Sequence, residues 1–189
     1  MSSASASEND AKQLLEPWEG WIRCQTCKHH HYGLNGAAGL LLVRRDETKA
    51  SRPFTHVVLQ HRSYNTMAGG TWGIPGGALG TGEDPVQGAL REASEEVGLP
   101  QDCAGGLDPV IAILGEKAFM NHGVWKYTTV FAEVLKQFEP SVPQGDWESL
   151  EVKWVAFKDV EKLPLHPEFG DAWPRMKSIL NCLAGATKR

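Results

Sequence analysis

Gly77-Ala78-Leu79-Gly80-Thr81-Gly82-Glu83, then seven residues, then Arg91-Glu92-Ala93-Ser94-Glu95-Glu96-Val97-Gly98-Leu99, is the stretch on which the reading of this chain rests. Its second half is a helix with both ends written into it. Asp84 is an N-cap, Pro85 occupies the first helical position where no N–H is missed, and Gln87 completes a capping box. Gly98 supplies the stop, because glycine takes the left-handed C-cap conformation without steric cost. At about 100° per residue, Val86, Ala89, Leu90, Ala93 and Val97 form one apolar face. Glu92, Glu95 and Glu96 form a second stripe beside it, which predicts an acidic edge at the rim of the core, facing a cleft.

Three neighbouring carboxylates repel one another and raise each other's pKa values, and a divalent cation removes that cost. Hard oxygen donors suit Mg²⁺ or Mn²⁺, whose common work is on phosphates. Gly76, Gly77, Gly80 and Gly82 let backbone approach a ligand closely. The plain alternative for the glutamates is a solvated helix face.

The full spacing resembles the box of the Nudix hydrolase family (MutT-like): G, five residues, E, seven residues, R-E-U-x-E-E-x-G-U, with U aliphatic. Every fixed position matches, and Ala93 is a small residue at the first U. The resemblance covers residues from about 36 to 185. It implies an α/β fold, an α/β/α sandwich around a mixed sheet. It also implies a Mg²⁺-dependent pyrophosphohydrolase that cleaves a phosphoanhydride bond in a nucleoside diphosphate derivative or a modified nucleoside triphosphate, with Mn²⁺ as a substitute. Carried over by position, Glu92, Glu95, Glu96 and the Gly77 carbonyl are metal ligands, Arg91 orients the carboxylates, and Glu83 is an outer contact. The general base is Glu92 or a residue outside the box, with Glu116, His122, Glu148 and Glu151 as candidates. The alternative function is a non-catalytic nucleotide-sensing module of the same fold. Isopentenyl diphosphate isomerase shares the fold but requires a catalytic cysteine and a more altered box.

A chain of 189 residues, 41% hydrophobic, is long enough for one buried core. A formal net charge of −4 shows no polybasic surface, so a small nucleotide is the expected partner rather than polymeric nucleic acid or a membrane. A homodimer is compatible with the sequence. No apolar run reaches the roughly 20 residues of a membrane span and the first residues lack signal-peptide features, which points to a cytoplasmic address. Four irregularly spaced cysteines do not suggest a disulfide framework.

Residues 1–15 read as a disordered tail and 16–35 as an N-terminal extension preceding a domain at 36–185. In that extension Cys24-Gln25-Thr26-Cys27, followed by His29-His30-His31, looks like half of a zinc site. No second pair follows, so further ligands would come from those histidines or from a distant residue. The competing reading is a packed or solvent-facing hairpin without metal. Residues 36–45, 55–62, 110–114, 124–134 and 150–157 read as strands, with 116–123 a loop over a cleft, a helical turn near 158–162 and a final helix at about 172–183. Pro75 predicts a bulge or strand end. Candidate substrate contacts outside the box are Arg44, Arg62 and Lys117 for phosphate and Tyr64, Phe119, Trp125 and Phe169 for a base, with His166-Pro167-Glu168-Phe169 bordering the pocket; the competing reading for each is ordinary core or rim packing.

Overall fold

The computed structural model describes residues 20–186. The expected tail at 1–15, and Trp18 and Glu19 of the apolar segment after it, lie outside the described residues. The elements in chain order are β1 (Trp21–Arg23), β2 (His30–Tyr32), β3 (Ala37–Arg45), β4 (Phe54–Arg62), β5 (Trp72–Gly73), β6 (Gly76–Ala78), α1 (Pro85–Val97), β7 (Ile111–Asn121), β8 (Lys126–Val134), β9 (Ser149–Ala156), α2 (Phe157–Val160) and α3 (Pro167–Ala186).

Strands β1 and β2 form a small antiparallel hairpin, and the other seven strands form a mixed sheet. The apolar run of β3 lies at its centre and is buried on both faces. Leu41 and Val43 face the C-terminal helix, where they pack with Phe169, Trp173, Met176 and Leu180. Ala38, Leu40 and Leu42 face α1, against Ala89, Ala93 and Val97. The result is the α/β/α sandwich that the resemblance implies.

The sheet is split. Strand β3 runs parallel to β8 along one edge, from Ala37↔Tyr127 to Val43↔Glu133. Along its other edge it pairs with β4 only at one end, Val43↔Val57 to Arg45↔Phe54. Beyond that point β4 pairs with β5 (Gln60↔Gly73) while β3 pairs with β6 (Gly39↔Gly76). A wedge of chain, 72–78, therefore fills the gap between two diverging strands. Pro75 lies at its tip between β5 and β6, as a residue without an N–H must, and its carbonyl accepts from Leu40 N at 2.9 Å.

Helix α1 starts and stops as its caps dictate. Asp84 Oδ1 accepts from Gln87 N at 2.9 Å, the Gln87 side chain accepts from Asp84 N at 3.1 Å, and Gly98 has φ 73°.

Two expectations are corrected. The segment 116–121 is strand, because β7 continues through register shifts near Gly115 and Phe119 to pair with β8 as far as Asn121↔Lys126. These bulges let an eleven-residue strand curl while keeping its ladder. Helix α3 begins at Pro167, five residues before the expected start at 172, and Pro174 is accommodated inside it. All four cysteines are free thiols. No helix among the described residues is long and apolar enough to cross a membrane.

The wedge depends on bare backbone where β3 and β6 meet. A Cβ on Gly39 would overlap Tyr127 Oη and lie 2.9 Å from the Pro75 carbonyl, and one on Gly76 would lie 2.5 Å from Gly39 Cα. Gly39→Ala is expected to destabilise the fold by about 1–3 kcal/mol, the cost of overpacking a filled core, as measured by urea unfolding. An unchanged midpoint would contradict this account of the wedge.

Candidate active site

The wedge brings Gly76 and Gly77 under the second half of α1. Gly76 N donates to Glu96 Oε2 at 2.7 Å, so the carboxylate is pulled down onto β6. The expected position of this stripe at the rim is corrected for Glu96, which is only 4% exposed. Burial pushes its carboxyl from an ordinary 4.5 up to about 8, against the opposing pull of the Gln60 side chain and the Gly76 N–H. Glu92 is pushed up too, first by burial and then by Glu95 and Glu148, with Arg91 opposing. Its carboxylate fills the space over Gly77, where a Cβ would lie 2.6 Å from Oε1.

Arg91 is the hub. Its Nε and Nη2 grip both oxygens of Glu83 at 2.9 and 3.0 Å. Nη1 donates to Glu92 Oε1 at 2.7 Å and Glu95 Oε2 at 3.1 Å, and Nη2 reaches the Ala78 carbonyl at 2.9 Å. Glu83, which also accepts from Gly80 N at 2.8 Å, is thus the partner that fixes the arginine. Arg91 holds the Glu83 carboxyl below its usual range. Glu95 remains mostly exposed, tethered only at its Arg91 end. Glu92 and Glu96 are gathered at the wedge, whereas Glu95 stands off, so the three do not close into a single shell of ligand atoms.

That open set fits a hard divalent cation. Mg²⁺ is commonly held by one or two carboxylates with the remaining positions left to water and phosphate oxygens. The buried Glu96 carboxylate on the Gly76 N–H and the largely buried Glu92 carboxylate over Gly77, where a side chain would clash, form a cradle of that kind.

Beside the wedge lies a cavity of about 340 Å³. Gly76, Gly77 and Ala78 line it, with Arg62, Phe119, Trp125, His166 and Phe169 among the expected contacts. Burial, and then Arg62, lowers the His166 pKa, which favours the neutral imidazole. The other expected contacts lie elsewhere. Arg44 packs on Trp154, Tyr64 is 75% exposed, and Lys117 and Glu116 border a separate groove near Ile179. Glu151 is exposed and pairs with Lys153. Of the candidate bases, Glu148 is near enough to the box to act on Glu92 electrostatically. His122 belongs to a different cluster, with Cys24 and His31.

The cavity also has walls that reading from sequence missed. Tyr127, Asp171 and Arg175 line it, Arg175 resting over the Phe119 ring at 5.2 Å. Glu168, Asp171, Ala172 and Arg175 are spaced i, i+3, i+4, i+7, one helix face. Starting α3 at Pro167, a good first helical residue, would have exposed that pattern.

The Nudix domain model matches residues 33–176. The chain belongs to the Nudix family. It is 42% identical over 176 residues to a nucleoside triphosphate pyrophosphatase/Nudix hydrolase fusion protein of Bifidobacterium longum, a match covering 93% of this chain and 34% of that one. The Nudix chain described here thus spans about a third of that relative. A Mycobacterium tuberculosis protein provisionally named 8-oxo-dGTP diphosphatase 3 is 38% identical over 170 residues, 89% of this chain and 73% of that one. The crystal structure of RenU, a Nudix hydrolase from M. smegmatis, superposes with a TM-score of 0.67 at 32% identity, covering 91% of this chain and 98% of that one.

The burial of Glu96 has a pH signature. Its folded-state pKa lies above its unfolded one, so between about 4.5 and 8 the native state holds a proton that the unfolded state has lost. In EDTA, stability against urea is expected to fall as pH rises through that window, by at most about 1.4 kcal/mol per pH unit for one group. Glu96→Gln should flatten the slope. A slope that is the same in wild type and variant would contradict the burial assigned to Glu96.

Proposed function

We propose that this domain is a divalent-cation-dependent pyrophosphohydrolase that cleaves a phosphoanhydride bond in a nucleoside diphosphate derivative or modified nucleoside triphosphate. The observation that carries the reading is continuity: the strand that lines the cavity, Gly76–Ala78, is the same one that holds Glu96 and lies under the Glu92 carboxylate. A ligand in the cavity has its phosphates delivered to the acidic cradle.

Glu92, Glu95, Glu96 and the Gly77 carbonyl would hold Mg²⁺ or Mn²⁺. When bound, the cation neutralises phosphate charge and lowers the pKa of a coordinated water. Arg91 sets the orientation of Glu92 and Glu95, and Glu83 locks Arg91. Arg62 and Arg175 line the cavity as phosphate or leaving-group contacts, with Phe119, Trp125 and Phe169 offering apolar faces to a base. Glu148 is our assignment for the general base, half-buried, within electrostatic reach of Glu92, and positioned by the turn in which its N–H donates to Asp146 Oδ1 at 2.7 Å. The name of the mycobacterial relative makes an oxidised purine deoxynucleoside triphosphate the first substrate to try.

The test is nucleoside monophosphate release with Mg²⁺ over oxidised dNTPs, ADP-ribose, NADH, diadenosine polyphosphates and nucleotide sugars. We expect turnover on at least one, lowered roughly 100-fold, about 2.7 kcal/mol of barrier, in Glu95→Gln and Glu96→Gln. Wild-type turnover in both variants would overturn the ligand assignment. An inert wild type that binds one nucleotide tightly would favour a sensing module. Glu148→Gln should lower kcat by about 10²-fold or more, whereas Glu116→Gln and Glu151→Gln leave it unchanged. Full activity in Glu148→Gln would remove it as the base.

A further inference from the structure

Outside the box, the described residues contain a second cluster of ligand-type side chains, formed by Cys24, Cys27, His31 and His122. One ligand atom from each lies within 4.8 Å of all the others. Cys24 and Cys27 lie in the β1–β2 turn and His31 in β2, and the fourth comes from the β7–β8 turn, some 90 residues away in the chain. We propose that these four side chains bind one structural Zn²⁺.

The contacts have the dimensions of a tetrahedral site. Cys24 Sγ is 3.3 Å from His122 Nδ1, Cys27 Sγ is 3.2 Å from His31 Nε2, and the two histidine nitrogens are 3.3 Å apart. With bonds of about 2.3 Å to sulfur and about 2.05 Å to nitrogen, the edges of a zinc tetrahedron are roughly 3.3 Å between nitrogens and 3.6 Å from nitrogen to sulfur. Hydrogen bonding alone does not account for this convergence. His122 Nδ1 faces both a thiol and another ring nitrogen, and its lone pair or its single proton serves one of them at a time. A cation at the centre satisfies all four.

The turn between β1 and β2 is folded as a metal-binding knuckle. Cys24 N donates to His29 O at 2.8 Å, Lys28 N donates to Cys24 O at 2.9 Å, and Lys28 adopts φ 65°. Cys27 N points at Cys24 Sγ at 3.5 Å, the direction that stabilises a thiolate. On the opposite side, Thr26 Oγ1 donates to His122 O at 3.2 Å, tying the knuckle to the β7–β8 turn. Cys24 is fully buried and His31 is 8% exposed, while Cys27 and His122 are half-buried, and four protein donors leave no open position, as in a structural site.

The site has a place in the architecture. His31 stacks on Trp125 with ring centroids 4.1 Å apart and planes 12° from parallel, and Trp125 Nε1 donates to Tyr32 O at 3.2 Å. Trp125 and Tyr32 both line the cavity next to the box. The zinc therefore fixes one wall of that cavity by clamping an N-terminal hairpin onto β7–β8, alongside the Thr26–His122 and Trp125–Tyr32 hydrogen bonds.

Metal content tests the proposal. The full chain, purified under reducing conditions and desalted, is expected to carry about one zinc per chain. That zinc should persist in Glu95→Gln, which separates it from the box, and be lost in Cys27→Ser and His122→Ala. Should those variants fail to fold, wild-type protein stripped with a strong chelator and reloaded with Co²⁺ should take up one equivalent with the visible absorption of a tetrahedral thiolate site. Hydrogen exchange of β1–β2 amides should speed up on stripping and recover with zinc. A reduced chain that holds less than about a tenth of an equivalent and takes up neither zinc nor Co²⁺ overturns the proposal.

Discussion

One guanidinium organises the acidic site. Arg91 makes hydrogen bonds to three carboxylates and a main-chain carbonyl, and without it the glutamates of α1 would repel one another across a desolvated surface. The positive charge is itself immobilised, because Glu83 occupies two of its donor directions and is anchored in turn by Gly80 N. A lysine could match the charge but not the fork, so the arrangement depends on planar geometry as much as on sign. The pair Glu92 and Glu96 can then be left partly uncompensated, which a cation would relieve.

The split in the sheet explains why these groups meet. Strands β3 and β4 pair for a few residues and diverge, and the 72–78 wedge fills the opening. Its glycines admit close backbone approach on one side and the Glu92 carboxylate on the other. A helix with strong caps, a sheet with a gap and a bare backbone segment are separately ordinary. Together they place charge, cavity and main chain within one small volume.

Local signals made α1 legible in the sequence. Its caps act over three or four residues, and the box spacing carried the family with it. What was hidden was tertiary. Glu96 lies on the same stripe as Glu92 and Glu95, and nothing in that spacing says that the N–H of Gly76 draws it inward. The β7 strand looked like a short run ending at Leu114 because Gly115, with φ 138°, interrupts the pattern, yet a bulge there continues the ladder. In α3 the helix expected from about 172 in fact opens five residues earlier, at Pro167. The missing first turn carries Glu168 and Asp171, without which the cavity-facing stripe that ends at Arg175 is incomplete. For Cys24 and Cys27, the partner His122 stands far along the chain, so only the fold brings it to the knuckle.

The central claim is that the cradle of Glu92, oriented by Arg91, and Glu96, held by the Gly76 N–H, is a divalent-cation site. Mn²⁺ binding followed by electron paramagnetic resonance, in the absence of nucleotide, addresses it most directly. The account predicts saturable binding to the wild-type chain, weakened by about tenfold or more in Glu96→Gln and unaltered in Cys27→Ser. Equal Mn²⁺ affinity in the wild type and Glu96→Gln would contradict it.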